Sequence, residues 1–163
     1  VIKSANGYPV PSCKYNFPLD DIYSFVAIAR ALETTGVSAY LGAAANFEGD
    51  LLTSAASIAT VEGRHSAFLS ELTGLEGAPY AFDTALNARQ VFTIASQFIE
   101  SCPYDLGIAP FTQLKAALPE NGSTQVKVSF DGENNYKQTW CQFLYSNKVT
   151  VSLREQCTLP PGA

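Results

Sequence analysis

The single histidine of this chain, His65, stands three residues after Glu62 in the stretch TVEGRHSAF, residues 60–68. On a helix, positions i and i+3 share a face, so a Glu62 carboxylate oxygen and a His65 ring nitrogen can reach one metal ion. A second acid, Glu33, is alone in the interior of an apolar run upstream. A buried carboxylate is costly unless it is paired or bound to a metal. One shared ion would account for Glu33 and Glu62 together. Salt bridges are the plainer account: the two carboxylates can pair with Arg30 and Arg64, and Arg30 lies three residues before Glu33, a common local bridge. Spacing alone leaves both accounts open. Carboxylates with imidazole suit iron or manganese, with zinc as a further option.

The elements that must carry these residues are helices. Pro18-Leu19-Asp20-Asp21 is a helix-start signal, with acid placed at the positive end of the helix dipole. From residue 22 to about 47 the apolar residues occupy most faces, interrupted by Arg30 and Glu33, with Gly36 and Gly42 as weak points. A helix apolar all round is expected to be buried. Glu48-Gly49-Asp50 breaks the run, and Asp50 is expected to cap a second helix over 51–73, ending at Gly74. Asn87 with Gln90 forms a capping-box pattern and opens a third helix over 88–101, stopped by Cys102-Pro103. A short helical turn is expected near 110–117. Beyond Pro119 the pattern alternates: 124–130, 138–145 and 148–153 read as strands of a β-meander, with Asp131-Gly132 and Ser146-Asn147 between them. The fold class is therefore α+β, mainly α. A helical region spans 1–119 and a small antiparallel β-meander 120–163.

Two long helices, apolar on several faces, cannot bury themselves against each other alone. The pattern suits half of a four-helix bundle, the rest supplied by another chain or a second copy.

The chain has 163 residues, 47% hydrophobic and 15% charged, with a net charge of −5. That balance and the lack of any basic run argue against nucleic acid, because phosphate neutralisation needs clustered Lys and Arg. The longest uncharged run, Thr34 to Phe47, is shorter than the roughly 20 residues of a membrane span. There is no methionine, so the chain reads as processed, with Val1 at a cleavage site. The four cysteines show no metal-ligand spacing and suit two disulfides in an oxidising compartment. Cys141 and Cys157 both lie in the meander and are expected to pair locally, which leaves Cys13 with Cys102. The sequon Asn121-Gly122-Ser123 adds a glycosylation site and points the same way, to a secreted, extracellular or cell-wall protein.

Four segments carry a resemblance. LETTGVSAYLGAAANF holds Glu33, and LTSAASIATVEGRHSAFL holds Glu62 and His65; AFDTAL and VFTIASQFIESCP follow. With Cys13-Lys14-Tyr15 and Ser101-Cys102-Pro103, they resemble a ferritin-like domain family that includes fungal stress-response and plant desiccation-related proteins. The resemblance covers about residues 9–105. Gly63 departs from a more usual alanine. In ferritin-like bundles two helices give one glutamate each and the other two give a Glu-x-x-His each. The resemblance thus implies that Glu33, Glu62 and His65 are half of a di-metal site, and that this chain is the second half of the domain. The first helix pair would be a separately retained chain of the same precursor, or its place would be taken by a second copy in a homodimer. Tyr40, seven residues after Glu33, would stand on the same face as an outer hydrogen-bonding partner or a redox-active phenol, or be an ordinary core tyrosine.

Two classes of function follow. One is a metal-binding protein or oxidoreductase using oxygen, peroxide or iron. The other is a non-enzymatic extracellular protein with a degraded metal site, whose aromatics Tyr136, Trp140 and Tyr145 contact wall carbohydrate or protein.

Overall fold

A computed structural model of the chain describes residues 2–4, 6–117, 127–129, 140–145 and 148–153. In chain order it contains β1 (Lys14–Tyr15), α1 (Ile22–Ala43), α2 (Gly49–Leu72), α3 (Ala88–Ala95), β2 (Ile99–Ser101), β3 (Lys115–Ala117), β4 (Lys127–Ser129), β5 (Trp140–Tyr145) and β6 (Lys148–Leu153). The protein is mainly helical, with small antiparallel ladders. It divides into two compact units, Val1–Ala81 with Ala85–Pro110, and Phe82–Thr84 with Phe111–Ala163.

In the first unit, α1 starts at a capping box. The Asp21 carboxylate accepts from the Ser24 N–H at 2.7 Å, and the Ser24 hydroxyl accepts from the Asp21 N–H at 3.0 Å. These bonds satisfy donors that the first turn otherwise leaves open. The helix proper ends at Ala43 and tightens into a 3₁₀ turn over Ala44–Asn46. The cap of α2 is Glu48, with no side-chain bond; Asp50 lies inside the first turn and does not cap. There its charge still faces the positive end of the dipole. Gly74, at φ +77°, follows the end of α2, the left-handed conformation in which glycine ends helices.

α1 and α2 pack antiparallel: Thr34 meets Ser66, Gly36 faces Glu62 and Val37 faces Gly63. Val26, Val37 and Ala55 are the buried apolar residues among those described. Thr35 is also buried, and its hydroxyl donates back to the Ala31 carbonyl at 2.7 Å, which satisfies it inside the helix. The outer faces are open. Ile22, Phe25, Leu41, Ile58, Phe68 and Leu72 are all exposed, so the burial expected of a helix apolar all round does not occur among the described residues. One neighbouring helix covers only one stripe of another.

α3 opens with the expected box of Asn87 and Gln90 but ends at Ala95, not at 101. Ser96–Phe98 form a 3₁₀ turn, and Ile99–Ser101 become β2, paired antiparallel with β1. A disulfide joins Cys13 to Cys102 beside that ladder. Pairing with a strand distant in sequence, plus the covalent tie, overrides local helix propensity here.

In the second unit the described strands form two separate ladders. β3 pairs with β4, and β5 with β6, from Trp140↔Leu153 to Tyr145↔Lys148. Two corrections follow. Residues 115–117 are a strand and not the expected helical turn, and among the described residues β4 pairs with β3 and not with β5, while the expected antiparallel pairing of the last two strands, β5 with β6, is present. Asn121, Tyr136 and Cys157, with the side chains of Trp140, Cys141 and Tyr145, lie outside the described residues, and with them the expected Cys141–Cys157 pair and glycosylation site.

Candidate metal centre

The antiparallel register of α1 and α2 sets Glu33 opposite His65. Glu33 Oε1 lies 3.2 Å from His65 Nδ1. The Glu33 side chain is 29% exposed and that of His65 57%, so the pair sits at the margin of the helix interface and opens toward solvent. One position along each helix, the Thr34 and Ser66 hydroxyls meet at 2.8 Å and tie the two helices together beside the pair.

Glu62 stands one turn before His65, against Gly36. It is half-buried, yet its Oε2 is closed off from water and has no hydrogen-bond partner. Burial first, and the negative charge of Glu33 second, hold the Glu62 carboxyl above its ordinary value, with His65 opposing. Tyr40 follows Gly36 by one turn. Burial, then the Glu62 charge, raise its phenol above the ordinary value, which keeps it protonated at neutral pH.

The salt-bridge alternative is not realised. Among the described residues the only ion pair is His65 with Glu33; Arg30 does not bridge Glu33, and Arg64 does not bridge Glu62. The acids are left to His65 and to each other, and one carboxylate oxygen is left with nothing.

Among the described residues, no group of three or more His, Cys, Asp or Glu side chains is gathered within reach of one ion. The donor chemistry nonetheless fits a metal in two respects. Two donors on neighbouring octahedral positions, with bonds of about 2.1–2.2 Å, stand about 3 Å apart, close to the Glu33–His65 separation of 3.2 Å. The third donor, Glu62, is a buried carboxylate without a partner, a condition that coordination relieves.

Sequence reasoning missed Gly36. It read as a weak point in the helix, whereas the structure places the Glu62 carboxylate directly over it. The available signal was a glycine in a helix interior, three residues after the lone acid; such a glycine costs about 1 kcal/mol against alanine and needs a reason.

No curated protein matches the chain. The family model of the ferritin-like domain matches residues 1–75, the span that holds α1, α2, Glu33, Glu62 and His65.

Proposed function

We propose that this chain is a metal-binding protein of ferritin-like type. Glu33, Glu62 and His65 form one half of a carboxylate–histidine centre for iron or manganese, and zinc is the other ion the donors admit. The observation that carries the reading is the arrangement on α1 and α2: a Glu33–His65 pair at 3.2 Å beside a buried, unpartnered Glu62 oxygen. Glu33 Oε1 and His65 Nδ1 stand at the spacing of neighbouring donors to one ion, and Glu62 brings the further negative charge that a cation neutralises. Tyr40 is a protonated phenol near that charge. When bound, the metal supplies a redox centre for oxygen, peroxide or iron chemistry.

A complete ferritin-like centre takes a further Glu and Glu-x-x-His. These come from a second helix pair, and a second copy of this chain is one source of it. The open apolar faces of α1 and α2, with Phe25, Ile58 and Phe68 exposed, support such a partner. The Cys13–Cys102 disulfide is compatible with a secreted protein. No described helix is long and apolar enough to cross a membrane.

The test is metal content. The purified protein is loaded with Mn(II) or Fe(II), dialysed and assayed by elemental analysis. The expected result is about two ions per assembled bundle, lost in His65→Ala. A wild-type protein that retains no transition metal would overturn the reading.

A further inference from the structure

We infer that Gly36 is the positioning residue for the Glu62 carboxylate, retained because its missing side chain leaves the seat in which that carboxylate rests beside Glu33 and His65. This rests on the reading of Glu62 as a metal donor. A Cβ at position 36 would stand 2.5 Å from Glu62 Oε1 and 2.6 Å from both Cδ and Oε2. No real side chain tolerates those distances, so alanine and the seated carboxylate exclude each other.

What yields is the far end of a flexible side chain. Glu62 can swing its carboxylate to water through its own torsions at little cost. Oε2 gives up no hydrogen bond by leaving, because it has none. The move also takes a negative charge away from Glu33, and alanine suits a helix interior better than glycine does. Against these gains stands the lost attraction of His65, and His65 is largely exposed, so the balance favours alanine at position 36. A glycine kept for helix packing behaves in the opposite way, since its replacement lowers stability.

Gly63, on α2, is the matched control. A Cβ there meets only Val37 Cγ2, at 4.0 Å, an ordinary contact. Both substitutions gain helix propensity, and only one disturbs the carboxylate.

The experiment compares wild type, Gly36→Ala, Gly63→Ala, Glu62→Ala and the Gly36→Ala/Glu62→Ala double variant of the full chain. Thermal unfolding is followed in chelator, and Mn(II) affinity by calorimetric titration. Gly36→Ala is expected to raise the unfolding midpoint in chelator while weakening Mn(II) binding about tenfold or more. Gly63→Ala raises the midpoint and leaves affinity unchanged. The double variant binds no more weakly than Glu62→Ala, because both changes act through one carboxylate.

A lowered midpoint for Gly36→Ala, or wild-type Mn(II) affinity in it, overturns the inference. In the second case the metal reading of Glu62 still stands if Glu62→Ala has lost affinity. If the wild type binds no Mn(II), the metal reading fails instead, and the chelator data decide the role of Gly36. A midpoint gain from Gly36→Ala that shrinks in the Glu62→Ala background supports the seat; an equal gain in both backgrounds overturns it.

Discussion

Two levels of α1, six residues apart, are built on glycine for opposite reasons. At Gly36 the space a side chain would fill is taken by the Glu62 carboxylate, the mobile tip of a side chain. At Gly42 it is taken by the backbone of Leu86, whose carbonyl oxygen would collide with any Cβ. The same stretch of backbone is anchored to α1, since the Leu86 N–H donates to the Ser38 carbonyl at 3.0 Å. A mobile obstacle can retreat and an anchored backbone cannot. The first level is tuned for a charge it holds without a partner; the second docks the segment leading into α3. The helix pair thus separates into a docking level that rewards rigidity and a donor level that carries strain of charge.

The largest expected effect lies on the docking side. The Cys13–Cys102 bridge closes a sequence separation of 89 residues and holds β1 against β2 beyond α3. Replacing both cysteines by serine is expected to cost about 3–5 kcal/mol, read by urea unfolding. The Glu33–His65 pair should survive the loss, with Mn(II) affinity of the folded fraction unchanged. A parallel loss of affinity would mean that the two levels are not separable. Next in size is Gly42→Ala. It must push the Leu86 backbone off α1 and weaken its bond to Ser38, an expected destabilisation of about 2–4 kcal/mol. If Gly42→Ala is instead as stable as Gly36→Ala, the contrast between the two glycines collapses.

These contrasts also mark what could be read in advance. The start of α1 was legible from the acids Asp20 and Asp21 after Pro18, and that of α3 from Asn87 with Gln90, which close their box within three residues. The candidate donors Glu33, Glu62 and His65 were legible as types at helical spacing. The end of α3 was not, because Ile99–Ser101 answer to Lys14–Tyr15 at the far end of the unit. The strand at 115–117 was missed for a similar reason, as its partner is β4. Neither glycine could be assigned a role, because each role depends on what stands across from it. That is a property of tertiary register, and no local pattern records it.

A smaller effect is expected at Glu62 itself. Replacing it by glutamine keeps the shape, removes the charge and supplies amide donors. The metal-free protein should gain about 1 kcal/mol, the low end of the cost of an unsatisfied polar group, because the residue is only half-buried. Chemical denaturation in chelator reads the gain. The same variant should bind Mn(II) more weakly, so stability and affinity move in opposite directions. A loss of metal-free stability would show that the Glu62 charge is already compensated, and the donor level would lose its distinguishing feature.

The smallest effect isolates the helix from both levels. Asp21, at the start of α1, is held below its ordinary value, first by the Ser24 N–H and then by the Ser24 side chain. Its charge is thus favoured by the fold, whereas the Glu62 carboxyl is shifted the other way by burial and Glu33. The sign follows from linkage. A carboxyl depressed in the folded state contributes stability above its unfolded value, near 3.8, and loses it as pH falls through the folded value. Asparagine caps about as well as aspartate but does not titrate. Asp21→Asn should therefore match wild type near neutrality, apart from a small dipole contribution to the acid. It should then lose less stability on acidification below about pH 4. Asp21 is fully exposed and screened by salt, so the difference should be small and shrink further as ionic strength rises. Parallel pH profiles for the two proteins would mean that the charge at Asp21 is not favoured by the fold. The opposition between a wanted carboxylate at one end of α1 and an unwanted one across from its middle would then lose its first member.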